Sequence, residues 1–310
     1  MNIHHVCALI LSHLKCGRLY MAERFLALIP HSENDLLIVQ EVKQIMNLYR
    51  KIHESIYTIN ASPLELQKTI QLRTKLNKHI EYIISQGRVF YATNESCMIP
   101  NLSQIYELIL GRKNVGVFVE VGAFDGRTQS NTDCLPPLGW TGLYIEPIQK
   151  YYEQCIQWHH ATPLVQVANC AAGATEGEIE LLVGGVLTTS NVDIVKKWES
   201  IDWASKYFDE PESVKVKQYT LDALLVLYNI NREFDVLVVD TEGHEGEVFA
   251  GFSLEKWLPR IAIVELADQS AQFRDMDKIA LECELIRRRF NNAGYYCIYN
   301  DDTNTVFVRK

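Results

Sequence analysis

The 310-residue chain lacks any Cys-x-x-Cys pair, although eight cysteines run from Cys7 to Cys297. Without thiols at ligand spacing, neither a zinc site nor a disulfide framework is indicated, and the reduced thiols of a cytoplasmic protein fit best. Long hydrophobic runs are missing as well. Val6 to Leu11 is the most apolar stretch near the start, but it is short, follows His4 and His5 rather than Lys or Arg, and soon reaches Lys15. A signal peptide and a membrane span are therefore disfavoured. Excess positive charge is also absent, with 30 Lys and Arg against 39 Asp and Glu and a net charge of −9. Residues 1–95 carry 11 basic and 8 acidic side chains, and the remainder carries 19 and 31. Such an acidic body lacks the clustered cations that grip phosphate backbones, which argues against nucleic acid as a partner. Finally, the chain has no G-x-G-x-x-G after a strand, so the pyrophosphate cradle of a nicotinamide enzyme is not there.

What is present centres on VGVFVEVGAFDGRTQSNT, residues 115–132. Val117, Phe118, Val119 and Val121 leave no face for solvent, the mark of a strand buried on both sides, and Glu120 is its one polar exception. Gly122 allows a sharp turn and a close approach to a ligand. Asp125 and Gly126 continue the turn, and Ser130, Asn131 and Thr132 offer hydroxyls, an amide and an N-cap for a helix expected to follow. S-adenosylmethionine, which has no phosphate, suits this pattern: its ammonium needs an acceptor such as Glu120, and its carboxylate needs donors. An acid for its ribose diol follows in GLYIEP, where Glu146 ends the next strand about 20 residues beyond the glycine turn. Asn169, after the third strand, is an amide placed for the adenine edge or, equally, a turn former.

The second chemical stretch is FDVLVVDTEGHEGEVFAGF, residues 234–252. Its apolar strand, Val236 to Val239, is followed at once by Asp240, Glu242 and His244 around Gly243. In an open parallel sheet the crevice beyond strand ends binds ligands, and three ionisable groups there are hard to explain by packing. Glu265 ends a further strand without an assigned role. Between these stretches, residues 184–191 read as a hydroxyl-rich loop, and Trp198, Trp203, Tyr207 and Phe208 as an insertion packing on its own helix, with stacking on a sugar or another flat acceptor as the alternative.

Residues 6–86 show helical spacing punctuated by Pro30 and the Ser62–Pro63 pair, so a domain of three or four helices is expected over 1–95. Its role is read as packing or homo-oligomerisation, with partner binding as the alternative. Residues 87–101 form the connection, and 96–310 hold the α/β domain, closing in an antiparallel hairpin through Tyr295 to Tyr299 and Thr305 to Val308.

EVGAFDGRTQSNT, YIEP, NCAAG, YTLDALL and especially DVLVVDTEGHEGEVFAGF resemble the FkbM family of S-adenosylmethionine-dependent methyltransferases over residues 115–308. The resemblance implies a Rossmann-like sheet of seven strands, a fold of the class I methyltransferases, and O-methylation of a hydroxyl on a sugar or secondary metabolite. Position by position, Glu120, Gly122, Asp125, Ser130, Asn131, Thr132 and Glu146 match cofactor motifs, and Asp240, Glu242 and His244 match the acceptor-side signature. Phe124 departs from the small or polar residue often found there. His244 is the first candidate for a general base, with Asp240 or Glu242 orienting it or acting instead. A divalent metal held by the same carboxylates with His244 is less favoured, because spacing alone does not establish ligand geometry. The competing readings are a nicotinamide-dependent oxidoreductase and a scaffold that keeps the fold without catalysis.

Overall fold

The computed structural model describes residues 3–15, 18–27, 29, 37–57, 63–85, 97–99, 102–111, 113, 115–209, 212–273 and 275–309. Pro30, Ser62 and most of the 87–101 connection lie outside them. The chain forms two compact units, one of Met1–Val115, Asp133–Trp140 and His160–Pro163, the other of Gly116–Thr132, Thr141–His159 and Leu164–Lys310.

The first unit contains α1 (Ile3–Lys15), α2 (Leu19–Leu26), α3 (Leu37–Tyr57), α4 (Pro63–Ser85) and α5 (Leu102–Leu110). Apolar residues at helical spacing supply its core: Val6, Ile10 and Leu14 on α1, then Val39, Val42, Ile45 and Met46 on α3, are all buried. Proline at the first position of α4 costs no hydrogen bond. The unit also draws in residues 133–140, where the buried Arg18 guanidinium meets Asp133 at 2.8 Å. His13 stacks on Phe25 with ring centroids 5.4 Å apart, a packing role.

The second unit runs β1 (Val117–Val121), β2 (Thr141–Ile145), α6 (Gln149–Trp158), β3 (Val165–Ala168), β4 (Ala171–Ala172), β5 (Gly177–Val183), α7 (Val192–Glu199), α8 (Asp202–Ser205), β6 (Glu212–Tyr219), α9 (Leu221–Leu227), β7 (Val236–Val239), α10 (Glu245–Ala250), α11 (Leu254–Trp257), β8 (Ile261–Glu265), α12 (Asp277–Asn292), β9 (Tyr295–Asn300) and β10 (Asn304–Arg309). Seven strands form one sheet in the order β3-β2-β1-β7-β8-β10-β9. The first five are parallel, and β10 inserts antiparallel between β8 and β9. This is the expected Rossmann-like class I sheet. Every residue of β7 is buried, as its unbroken valine and leucine run requires. Behind the hairpin, Phe290 of α12 stacks on Phe307 at 4.2 Å and meets Tyr295 edge-on at 5.2 Å. These rings fasten the antiparallel strands to the apolar core.

One expectation needs correction. No helix follows Thr132; the chain bends into a short 3-10 turn at Pro136–Leu138. Consecutive prolines remove backbone donors there, and the Ser130 and Thr132 hydroxyls are engaged elsewhere. β5 pairs antiparallel with β6 and forms the edge of a separate three-stranded sheet, β4-β6-β5. The alternation in its sequence is that of a strand with one solvated face. The insertion does pack on itself: Trp198 and Phe208 stack at 5.6 Å, while Trp203 and Tyr207 stay largely exposed. Among the described residues no helix is long and apolar enough to cross a membrane.

Candidate active site

The strand order reverses direction between β1 and β7, and a crevice opens beyond their carboxyl ends. A cavity of about 590 Å³ lies there, lined by Gly122, Phe124, Glu146, Asp240, Glu242 and His244 together with residues 185, 186 and 188–190 of the hydroxyl-rich loop. Two separate sequence stretches thus meet in one cavity.

Gly122 carries the close approach. Its φ is +81°, and a Cβ would stand 1.7 Å from the Asp240 carbonyl oxygen, so no other residue fits between the ends of β1 and β7. Phe124 also adopts a positive φ of 49°. Its ring packs on Tyr151 at 4.2 Å, and its backbone N–H donates to Glu146 Oε2 at 2.8 Å. The Ile148 N–H donates to Glu146 Oε1 at the same distance. Each oxygen of Glu146 therefore holds one backbone donor and keeps a second lone pair. Burial raises this carboxyl to about 8, against the opposing pull of those two amides.

Not every residue expected at the cofactor reaches the cavity. Glu120 is 4% exposed, and its Oε2 accepts the Ser130 hydroxyl at 2.9 Å and the Thr132 hydroxyl, with the Asn131 backbone amide also facing it. Burial raises Glu120 to about 7. Glu120, Ser130, Asn131 and Thr132 form a buried knot under the first turn, and none lines the cavity. Asp125 closes the turn instead, accepting from the Arg127 and Thr128 backbone amides at 2.9 and 2.6 Å. Asn169 donates to the Glu146 and Pro147 carbonyls, both at 3.1 Å, and so fixes the strand end rather than facing the cavity.

On the opposite side, Glu245 shapes the turn after β7. It accepts the Thr241 amide at 2.7 Å, the Thr241 hydroxyl at 2.8 Å and the Gly243 amide at 3.0 Å. That turn needs φ of +55° at Glu242 and +88° at Gly243, where a Cβ would meet Ile194 Cδ1 at 1.9 Å. His244 leaves the turn with Nδ1 2.8 Å from the Ser190 hydroxyl, while its Nε2 is buried without a protein partner. Burial lowers the imidazole pKa, favouring the neutral ring. Asp240, Glu242 and Glu265 bring carboxylate oxygens within 4.8 Å of one another. Burial raises all three, and mutual repulsion pushes Glu242 and Glu265 well above the ordinary range.

Ser190, Glu245 and Glu265 received no place in the site from sequence. The strand-end position of Glu265 and the hydroxyl-rich loop were the available signals. Only the fold shows that Glu265 lies beside Asp240 and Ser190 beside His244.

A sheet of this order with a ligand crevice at its switch point defines a class I methyltransferase fold. The chain belongs to the FkbM methyltransferase family, for the methyltransferase FkbM domain matches residues 120–295, more than half its length. No curated protein matches the sequence. Among solved structures, an O-methyltransferase from Bacillus cereus in complex with SAH is similar at 10% identity and a TM-score of 0.41, covering 86% of this chain and 100% of that one. A TehB-like SAM-dependent methyltransferase from Corynebacterium glutamicum shows 10% identity and a TM-score of 0.31, covering 63% and 80%. Both likenesses are too distant to carry a functional argument.

Proposed function

We propose that the protein transfers a methyl group from S-adenosylmethionine to a hydroxyl of a sugar or other secondary metabolite. The observation that carries this reading is the meeting of Glu146 with Asp240 and His244 in one cavity at the switch point. The residues present fit the donor. Gly122 keeps a backbone cradle that any Cβ would fill, and Glu146 has two free lone pairs for a ribose diol. When bound, S-adenosylmethionine supplies an electrophilic methyl on a sulfonium whose sulfur departs as a neutral thioether.

Gly122 and Glu146 hold the donor end, and the cavity walls from Val186 to Ser190 stand on the acceptor side. Holding both reactants in line supplies most of the rate, because no leaving group needs a proton. His244 takes the acceptor proton: in the tautomer whose Nδ1–H donates to the Ser190 hydroxyl 2.8 Å away, the unpartnered Nε2 carries the basic lone pair. Such a base contributes about 10²- to 10⁴-fold.

Calorimetric titration with S-adenosylmethionine tests the donor assignment. The wild-type protein binds it, and Glu146→Ala weakens binding about 10- to 100-fold, the effect of losing two hydrogen bonds to the ribose diol. Equal affinity in the two proteins removes the assignment.

A further inference from the structure

Asp240 and Glu242 follow β7, and Glu265 ends the neighbouring β8, so the parallel pairing of Val239 with Val264 sets the acids side by side. Among the described residues no Lys or Arg forms an ion pair with any of the three. Buried carboxylates crowded in this way must take up protons or a cation.

A second observation lies on β10. Asn304 is only 2% exposed, and its side-chain nitrogen has no partner. It pairs in register with Glu265, and residues directly opposed across antiparallel strands project to the same side of the sheet. Glu265 Oε2 is likewise buried without a partner. Glu265 also shares a hydrogen bond with Asp240 and Asn304 faces Asp301, yet each of these opposed side chains keeps one buried atom without a hydrogen-bond partner beside the carboxylates. Since the two ends of an amide are interchangeable in such an assignment, Asn304 is able to present its oxygen to the same point.

We propose that Asp240, Glu242 and Glu265, backed by Asn304, form a binding site for a hard divalent cation of the Mg²⁺, Mn²⁺ or Ca²⁺ class. All the candidate ligands are oxygens, which excludes preference for a soft metal. The spacing is compatible with this. Metal–oxygen bonds of about 2.1 to 2.4 Å place opposed ligands about 4.2 to 4.8 Å apart, and the three oxygens lie within 4.8 Å. Glu242 lines both the 590 Å³ cavity and a neighbouring one of about 430 Å³ that also reaches Glu265, so the site has an entry from each. A cation here lies beside Asp240 at the edge of the reaction cavity, close enough to engage an acceptor oxygen.

Mn²⁺ is the probe. In the full-length chelator-treated protein, loss of the free-ion paramagnetic resonance signal counts bound Mn²⁺ without requiring methyl transfer, so the outcome is separate from that of the donor assignment. One ion per chain is expected to bind below ~1 mM and to be displaced by Mg²⁺. Glu265→Gln weakens binding at least tenfold with an unchanged circular dichroism spectrum. Should that variant misfold, Asn304→Ala serves, with a loss of about 10-fold, as for outer partners of a metal site. No bound Mn²⁺ at ~1 mM, or binding unaltered in whichever of these variants folds, overturns the proposal.

Discussion

Replacing Glu120 by glutamine separates the structural role of this buried acid from any role at the cavity. The carboxyl sits under the first turn, accepting two hydroxyls, and burial lifts it from an ordinary 4.5 to about 7. In the unfolded chain it ionises near 4.5. A raised folded value means that its contribution to stability is fully present below the unfolded value and is lost as pH rises through the folded one. At ~1.4 kcal/mol per pH unit, ionising Glu120 in place costs about 3 kcal/mol. Glutamine keeps an oxygen for the hydroxyls and carries no charge at any pH. Urea unfolding of both proteins by far-ultraviolet circular dichroism, at pH about 5 and about 9 with chelator present, isolates this cost. Other raised acids, such as Glu146 and Glu245, are common to both proteins and cancel in the comparison. Between the two pH values the variant should gain about 3 kcal/mol relative to wild type. Stability curves that remain parallel would refute the reasoning.

Gly122→Ala should lower thermal stability by at least about 2 kcal/mol, since it combines a left-handed φ with a Cβ driven into a backbone carbonyl. A wild-type melting temperature would contradict it. For His244, nitrogen-15 correlation spectra of the wild type should show the proton on Nδ1 and a bare Nε2, and Ser190→Ala should yield a mixture of tautomers. A proton found on Nε2 in the wild type would rule out the base assignment.

Much of this was legible in the residues because burial leaves strong marks. Val236 to Val239 has no polar face, so it reads as an inner strand, and the acids just beyond it read as a site. Gly122 was legible for a related reason, since a glycine between a buried strand and an acid implies close approach. That Glu120 stays out of the cavity was not legible. Glu120 and Glu146 look alike at strand positions, but Glu120 lies one residue inside the strand's end and is enclosed by Ser130 and Thr132, whereas Glu146 stands one residue beyond. The partnership of Glu265 with Asp240 depends on which strands are neighbours, and local pattern does not encode sheet order. The helix expected after Thr132 failed for the same cause: a hydroxyl that looks like a cap is drawn instead to a carboxyl twelve residues earlier.

One wall of the cavity belongs to residues 185, 186 and 188–190, and that loop is held from two sides: Thr189 exchanges both backbone hydrogen bonds with Leu182 of β5 and donates its hydroxyl to the Glu242 carbonyl at 2.7 Å, while the far side packs on the aromatic insertion. A Cβ on Gly184 would strike the Phe208 ring, and Leu187 packs with Trp198 in the insertion's own small core. Leu187 and Gly184 of that loop thus rest on a cluster of rings distinct from the core beneath Gly122, so exchanging rings in the insertion would reshape this side of the cavity before it disturbed the glycine turn.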